Sequence, residues 1–490
     1  MSVIRRSFGL SAASKYTQFM LVLGSNMVIA RLLTPEEIGV YAVAAVLAGI
    51  AQIFRDLGIG QYLIREPEIT EPKLRAAFTL MTTMAWTLGT GLALSAGYLA
   101  TFYEEPALRT VLRIQALSFF IIPFGAISLT LLKRDFRFGA NYVVDIAASA
   151  TQITIAITLA AIGFGAPSLA WGSVAGVLVT SIGAVLARRG RFAFRPSLKG
   201  ARAILRFGGY ITATNLLGNF NRDITELMIG KWMGMSSLAY FSKALLPNTA
   251  FSQLMMGALR PVLLPAFSKK IREHDFRQPF LYGISCLTAV AFPSLLLAAF
   301  LADWIVILLF GSQWGQTVEP MRFFAISAAI WSTTALSSPL LVAMGHPQVP
   351  MKIQLVTVPL RIGLIALAIP HGLVMIAQAW LLSVILGAAL SFYMVGRLSG
   401  IRLREIGGAT APAVFLGGPI AVLVGSVAWW IGPDINAANG IVVLLTAGTS
   451  FSLIWGLALL ALKHPLYLEF RGLLGWARRR AERTYSTGET

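Results

Sequence analysis

The sequence predicts an all-α polytopic membrane protein with about 14 transmembrane helices, from three features of its composition and patterning. Of its 490 residues, 56% are hydrophobic and only 12% are charged, whereas soluble domains contain about 25% charged residues. The apolar residues come in runs of about 20, long enough to cross a bilayer. The Lys and Arg residues gather in alternate loops between these runs. These features exclude a soluble enzyme and a disordered chain, and the single Cys286 excludes an internal disulfide.

The predicted spans are apolar runs that end at charged residues, glycine or proline. They are numbered one to fourteen in chain order: 11–30, 38–60, 74–100, 108–131, 141–162, 168–187, 203–229, 236–267, 279–301, 317–343, 350–369, 372–396, 409–431 and 439–462. Lys243, Pro247 and Pro261 interrupt span eight. The apolar piece 304–310 is too short to span and is expected to be interfacial or re-entrant. No small-residue cleavage site follows span one, so we expect it to be retained rather than removed as a signal peptide.

The basic residues predict the orientation of the chain. Thirty of the 40 Lys and Arg residues fall on one side of the membrane, five on the opposite side, and five within spans. Because cytoplasmic loops retain Lys and Arg, both termini are predicted to be cytoplasmic. A net charge of +19 often indicates nucleic acid, but here it is explained by orientation and by anionic lipid headgroups. No nucleic-acid partner is expected.

The longest basic loop, 188–206, divides the first twelve spans into two sets of six. The two sets are similar at an offset of 200 residues, since Ile29–Arg31 at the end of span one corresponds to Ile229–Lys231 at the end of span seven. A repeat of six spans keeps its orientation, which predicts a parallel repeat with a substrate cleft between two lobes. The predicted domains are an N-terminal lobe 1–200, a C-terminal lobe 201–400, an appended pair of spans in 401–463 and a basic cytoplasmic tail 464–490. Chance similarity between apolar helices is the alternative.

Polar side chains recur at helical spacing on spans one, two, seven and eight. Each charged side chain facing lipid at the bilayer centre costs about 3 kcal/mol on insertion scales, so these faces are expected to meet protein or water. The candidates for the substrate cavity are Lys15, Gln18, Gln52, Arg55, Asn215, Asn219, Arg222, Lys243, Gln253 and Arg260. The candidates for ion coupling are Asp56, Asp223 and Glu226. Arg361 on span eleven is interpreted as a packing residue.

Two interpretations of the charged candidates stay open. In the first, Arg55 with Asp56, and Arg222 with Asp223 and Glu226, form internal ion pairs that tie helices together. In the second, the cations form a solvated anion-binding surface, because the basic groups on these spans outnumber the carboxylates. Arginine suits phosphate, so a lipid diphosphate headgroup would fit such a surface while its tail remained in the bilayer.

Several segments, in the same order along the chain, resemble the Wzx-like polysaccharide-export flippases of the multidrug/oligosaccharidyl-lipid/polysaccharide (MOP) exporter superfamily. They are Arg31–Tyr41 (RLLTPEEIGVY), Phe54–Gly60 (FRDLGIG), Leu132–Arg137 (LKRDFR), Leu238–Ala244 (LAYFSKA), Leu264–Ser268 (LPAFS) and Leu309–Trp314 (LFGSQW). The resemblance implies a V-shaped bundle of two six-helix lobes plus a C-terminal helix pair. It also implies a cavity lined by helices one, two, seven and eight, and Lys15 and Arg55 loosely match cationic residues of related lipid flippases.

The resemblance to this family implies transport by alternating access. Its members flip undecaprenyl-diphosphate-linked oligosaccharide from the cytoplasmic to the periplasmic leaflet of the bacterial inner membrane, for exopolysaccharide, capsule or lipopolysaccharide biosynthesis. The expected partners are this lipid-linked substrate and the inner membrane, with polysaccharide polymerase or export proteins as further candidates. No cofactor or metal is expected. The alternatives are a multidrug/cation antiporter of the same superfamily, a membrane glycosyltransferase or polymerase, and a scaffold without transport activity.

Overall fold

The computed structural model describes residues 2–188, 196–256, 275–431 and 437–467, together with single positions and pairs between 257 and 274. It is built from helices that follow one another with short connections. They are α1 (Ser2–Leu32), α2 (Pro35–Asp56), α3 (Ile59–Arg65), α4 (Glu71–Phe102), α5 (Pro106–Ile121), α6 (Pro123–Arg134), α7 (Phe138–Ala161), α8 (Ala166–Ala187), α9 (Ala201–Trp232), α10 (Met235–Ala244), α11 (Leu246–Ala250), α12 (Arg277–Phe300), α13 (Ala302–Phe310), α14 (Val318–Ser332), α15 (Ser337–Ala343), α16 (Gln348–Ala368), α17 (Leu373–Ser399), α18 (Leu403–Pro412), α19 (Gly418–Ile431) and α20 (Ala437–Ala461). The all-α fold class is confirmed.

Ten helices or helix runs in the described part of the chain are long and apolar enough to cross a membrane, and the count reaches 11 with the bent pair α5–α6. They correspond to predicted spans two to six and nine to fourteen. Spans one, seven and eight fall outside this count, and these are three of the four spans that carry polar stripes. The chain is therefore a multi-pass membrane protein, while the total of 14 spans stays a prediction.

Several predicted spans are broken helices. Span two is divided between α2 and α3, where Leu57 and Gly58 both have positive φ. Span four bends by 56° between α5 and α6, and the bend falls where Pro123 begins α6. Proline lacks a backbone N–H and clashes with the preceding turn, which explains the bend. Span eight begins as α10 and α11 and continues as a π-helical turn, Phe251–Met256.

The chain divides into two compact units, Met1–Lys243 and Ala244–Thr490. In the first unit, α7 packs against α1 and α8, while α5 packs against α2, α4 and α8. A buried apolar cluster joins α3, α4, α6 and α9, with Ile59, Leu63 and Ile204 almost fully buried. The unit boundary differs from the predicted lobe boundary at residue 200, and the division into six-span lobes stays a prediction.

In the second unit, α12 is the central helix and packs against α14, α18 and α19. The fully buried Trp304 belongs to a cluster that joins α12, α13, α19 and α20. The indole of Trp455 donates a hydrogen bond to the carbonyl oxygen of Ala289 (2.8 Å), which fixes α20 against α12. The apolar piece 304–310, predicted to be too short to span, lies in α13, a helix of nine residues.

Candidate functional site

Helices α2 and α9 lie antiparallel along one another within the first unit, and glycines allow close approach at both ends of the contact. A Cβ at Gly39, near the start of α2, would clash with the backbone carbonyl of Met235, which begins α10 just after α9. At the opposite end, a Cβ at Gly208 on α9 would clash with the carbonyl of Leu57. The polar faces predicted on spans two and seven therefore belong to two helices in direct contact.

The start of α2 is fixed by a capping box. The backbone N–H of Glu37 donates to the Thr34 hydroxyl (3.3 Å), and the backbone N–H of Thr34 donates to the Glu37 carboxylate (2.8 Å). Pro35 occupies the first turn, where its missing N–H has no partner to lose. The TPEE part of the RLLTPEEIGVY segment therefore fixes the residue at which α2 begins.

A pocket of about 350 Å³, called here the Tyr41 pocket, lies between α2, α9 and α10. Its polar lining consists of Tyr41, Arg222, Asp223, Glu226 and Ser242. Arg222 Nε donates to the Glu226 carboxylate at 2.7 Å; the Arg222 side chain is 58% exposed and that of Glu226 only 6%. The pocket thus contains two carboxylates and one guanidinium.

A second pocket of about 500 Å³, called here the Arg55 pocket, contains the C-terminal end of α2. The Arg55 side chain is 7% exposed, and its Nη2 lies 2.6 Å from the carboxylate of Asp56. Its guanidinium lies 5.7 Å from the ring centre of Phe119, and the buried Nη1 has no hydrogen-bond partner among the described residues. Lys133 of α6 lines the same pocket, which therefore carries two cations against one carboxylate.

The structure pairs two of the charged candidates with carboxylates, while the role of the whole set stays a prediction. Arg55 pairs with Asp56 and Arg222 pairs with Glu226, as the ion-pair interpretation requires. Each pair, however, lies within one helix and does not tie two helices together. Lys243 contacts a different helix, since its Nζ donates to the side-chain oxygen of Asn26 in α1 at 2.7 Å.

The remaining candidates for the cavity lie on α1, α2, α9 and the segment that follows α11. Gln18 on α1 is half-buried, while Gln52 on α2 and Gln253 in the π-helical turn are exposed. Lys15 lies in α1, and Asn215 and Asn219 lie in α9, but these three side chains are outside the described part of the structure. Arg260 is also outside the described residues.

Sequence reasoning missed Lys133 and Asn26. Lys133 was counted with the cytoplasmic loops because it follows an apolar run, although it lines the Arg55 pocket. Asn26 lies on α1, and its side-chain amide donates a hydrogen bond to the carbonyl oxygen of Val22 one helical turn earlier (3.0 Å). Asn26 is a polar residue within predicted span one, and this was the available signal.

At the end of α9 the structure contains a further contact between helices. Lys231 Nζ lies 2.8 Å from the carboxylate of Glu104 and 5.0 Å from the ring centre of Phe102. The ammonium group donates a hydrogen bond to Glu104 and lowers the pKa of this exposed carboxyl below its usual value. This contact joins the connection after α4 to the last turn of α9.

The sequence pattern of polysaccharide biosynthesis proteins matches residues 28–319, more than half of the chain and including α2, α9 and α10. The chain belongs to the polysaccharide biosynthesis protein family. This family assignment confirms the resemblance first seen in the RLLTPEEIGVY segment.

Curated relatives of this family member match over most of its length. The succinoglycan biosynthesis transport protein ExoT of Rhizobium meliloti is 26% identical over 352 residues, covering 71% of this chain and 70% of the relative. The lipopolysaccharide biosynthesis protein WzxC of Escherichia coli is 23% identical, covering 69% and 70%. The teichuronic acid biosynthesis protein TuaB of Bacillus subtilis is 24% identical, covering 60% and 62%.

Solved structures show the fold of this polysaccharide biosynthesis protein. The lipid II flippase MurJ in an inward closed conformation matches with a TM-score of 0.73 and 15% identity, over 91% of this chain and 97% of that one. An inward-facing multidrug resistance MATE transporter of the MOP superfamily matches with a TM-score of 0.60 and 13% identity, over 79% and 99%. The MOP-type fold is confirmed.

Proposed function

We propose that the chain flips undecaprenyl-diphosphate-linked oligosaccharide from the cytoplasmic to the periplasmic leaflet of the bacterial inner membrane by alternating access. The observation that carries this proposal is the family match over 28–319, with relatives named for the biosynthesis or transport of polysaccharides. The likeness in fold to a lipid II flippase supports the same kind of movement for a lipid-linked substrate. Polysaccharide polymerase and export proteins are candidate partners for such a role.

The Arg55 pocket is the candidate site for the diphosphate. Arg55 and Lys133 supply two positive charges, and the hydroxyl-bearing Thr130 and Thr180 line the same space. Arg55 bonds Asp56 through Nε and Nη2, and among the described residues its buried Nη1 has no hydrogen-bond partner, so a phosphate oxygen that reached Nη1 would complete the hydrogen bonds of the guanidinium. The positive-inside distribution of basic loops supports cytoplasmic termini and puts this end of α2, followed by Arg65, on the cytoplasmic side. A diphosphate would therefore meet the Arg55 pocket from the leaflet in which the substrate begins.

The Tyr41 pocket is the candidate site for ion coupling. Its carboxylates, Asp223 and Glu226, outnumber its single guanidinium, so a proton or a metal cation would balance its charge. The same surplus favours a second candidate function, a multidrug/cation antiporter, because a cationic drug would also balance it. A drug-efflux assay in whole cells separates the two functions, since a flippase confers no resistance to cationic dyes.

The experiment that tests the flippase proposal is complementation of a bacterial strain from which the gene has been deleted. We expect lipid-linked glycan to accumulate on the cytoplasmic leaflet of the deletion strain and the wild-type protein to restore export. Arg55→Ala and Arg222→Ala are each expected to abolish export while the protein remains in the membrane, and Arg55→Lys should retain part of it. Normal export by both alanine variants would contradict the role of these pockets.

The matched control is Arg109→Ala. Arg109 is exposed on α5, and it lines neither the Tyr41 pocket nor the Arg55 pocket. This variant removes the same charge from the same protein, so a loss of export here would show that export is sensitive to arginine content in general. We expect it to export like the wild type.

A further inference from the structure

The second unit contains a groove of about 480 Å³, lined by residues from the end of α14 and from α15, α16 and α17. This volume lies in the range of about 300–1,000 Å³ that small-molecule sites occupy. The polar side chains that matter here are Thr334, Ser337, Gln354, Thr357, Arg361 and Ser383. Among the described residues that line the groove, none carries a carboxylate. The sequence predicted only a packing role for Arg361.

Arg361 is held in a defined position by two contacts. Its Nε donates to the Ser383 hydroxyl at 2.7 Å, and its guanidinium lies 4.3 Å from the ring centre of Trp380. The Ser383 hydroxyl in turn donates to the Trp380 carbonyl at 2.7 Å, so the support is itself fixed. Among the described residues, no carboxylate forms an ion pair with Arg361. The guanidinium is thus oriented through Nε and one face, and within the described part of the chain its two terminal nitrogens form no hydrogen bond.

Ser337 is a second sign that the groove takes a polar ligand. This residue is only 3% exposed, and its hydroxyl oxygen has no hydrogen-bond partner among the described residues. A buried hydroxyl without a partner destabilises the folded protein because it has lost its hydrogen bonds to water. Since Ser337 lines the groove, a ligand that carries its own hydroxyl groups would satisfy it.

The depth of Arg361 bears on the identity of the ligand. Arg361 lies thirteen residues after the start of α16, Gln348, and seven before its end, Ala368. At 1.5 Å per residue it is about 20 Å from one end of the helix and about 10 Å from the other. Phospholipid headgroups remain outside the hydrocarbon layer of about 30 Å. A helix of this length matches the hydrocarbon layer, so a resident phospholipid would have to move its phosphate about 10 Å inward to reach the level of Arg361, which disfavours it as the ligand.

We propose that this groove binds a sugar that carries a carboxylate, with Arg361 donating to the carboxylate and the neighbouring hydroxyl and amide side chains binding the sugar hydroxyls. A guanidinium matches a carboxylate through two parallel hydrogen bonds. Ser337, Thr357 and Gln354 line the same groove and supply donors and acceptors for hydroxyl groups. The inference rests on the proposed function and deepens it, since it assigns the flippase to acidic glycans.

The first test is direct binding to the full-length chain in nanodiscs of zwitterionic phospholipid, with D-glucuronate as the probe and D-glucose as its neutral counterpart. Isothermal titration should give saturable binding of glucuronate and at least about tenfold weaker binding of glucose. Arg361→Gln should weaken glucuronate binding by at least about tenfold, and Arg361→Lys should restore part of the loss. Gln354→Leu, which leaves the support of Arg361 intact, should weaken it less.

Lys352→Gln is the matched control, because Lys352 is an exposed cation on α16 that does not line the groove. It should bind glucuronate like the wild type. Equal binding of glucose, undiminished glucuronate binding by Arg361→Gln, or complete displacement of glucuronate by inorganic phosphate at equal concentration would overturn the proposal. Loss of glucuronate binding when anionic phospholipid replaces the zwitterionic lipid would also overturn it in favour of a lipid site.

The second test separates free acidic sugar from sugar within the lipid-linked substrate. Strains that make the glycan with a uronic acid, or with its carboxyl group reduced to an alcohol, are compared for export by the wild type and by Arg361→Gln. We expect the variant to lose export of the acidic glycan and to keep export of the reduced one. If export depends on the protein but Arg361→Gln handles both glycans equally, the inference fails while the flippase proposal stands; if export never depends on the protein, the flippase proposal fails.

Discussion

Alanine substitutions at two glycines of α2 are expected to have opposite effects on the free energy of unfolding, because only one of the glycines contacts the backbone of another helix. A Cβ at Gly39 would lie against the backbone of Met235, with the Met235 Cα at 2.8 Å and its carbonyl closer still. A Cβ at Gly49, ten residues along α2, has nothing within 4 Å. Alanine adds about 1 kcal/mol of helix propensity at either position. At Gly39 overpacking of about 1–3 kcal/mol opposes this gain, and a backbone carbonyl cannot change rotamer to relieve it.

The two alanine variants should therefore differ in free energy of unfolding by about 1–3 kcal/mol, since the propensity gain cancels in the comparison. Gly49→Ala should be slightly more stable than the wild type. The assay is denaturant unfolding of the purified protein in detergent micelles, followed by tryptophan fluorescence. Gly39→Val and Gly49→Val extend the series, and the difference should widen. Equal stability of Gly39→Ala and Gly49→Ala would refute the close packing of α2 against the start of α10.

Three further substitutions test other contacts. Burial lowers the pKa of His464, whose ring lies 2.9 Å from the Ser285 hydroxyl, so the unfolded chain binds a proton more readily than the folded one. Thermal stability should therefore fall as the pH drops below about 6.5. The fall should be smaller in His464→Gln. Identical pH profiles for the two proteins would contradict this. Trp304→Ala removes a fully buried indole and should cost about 3–5 kcal/mol, seen as faster proteolysis of the second unit. Asp56→Asn leaves the buried Arg55 without its counter-charge and should destabilise the protein by about 1–2 kcal/mol in denaturant unfolding. Asp56→Glu should recover part of this stability. Unchanged stability of Asp56→Asn would mean that the pair contributes nothing.

The sequence was sufficient to predict most of the spans, because the length of an apolar run depends only on neighbouring residues and on bilayer thickness. It was weaker at the breaks within spans. Pro123 lies inside the fourth apolar run, but the length of this run predicted one continuous helix. The structure bends by 56° at this proline. The left-handed conformation of Leu57 carries no local signal at all, since leucine disfavours it and only the surrounding packing can maintain it.

The candidate site was predictable only along each helix. A spacing of three and four residues brought Arg222 and Glu226 to one face, and the structure pairs them at 2.7 Å. The partner of Lys243 is Asn26, more than two hundred residues away, and no periodicity within one helix can identify such a contact. Arg361 was assigned to packing because nothing near it in the sequence suggests the groove that α15 and α17 complete.

The polar faces that distinguish α9 also bear on how this protein enters the membrane during synthesis. Arg222, Asp223 and Glu226 lie together in the second half of α9. Charged residues near a helix centre cost about 2.5–3.5 kcal/mol each when the helix is transferred alone from the translocon into lipid. Helix α2 is synthesised earlier and packs along α9. We therefore expect α9 to leave the translocon only when it packs against α2. Substitutions on the surface of α2 that contacts α9 should then reduce the amount of protein inserted into the membrane before they affect its activity.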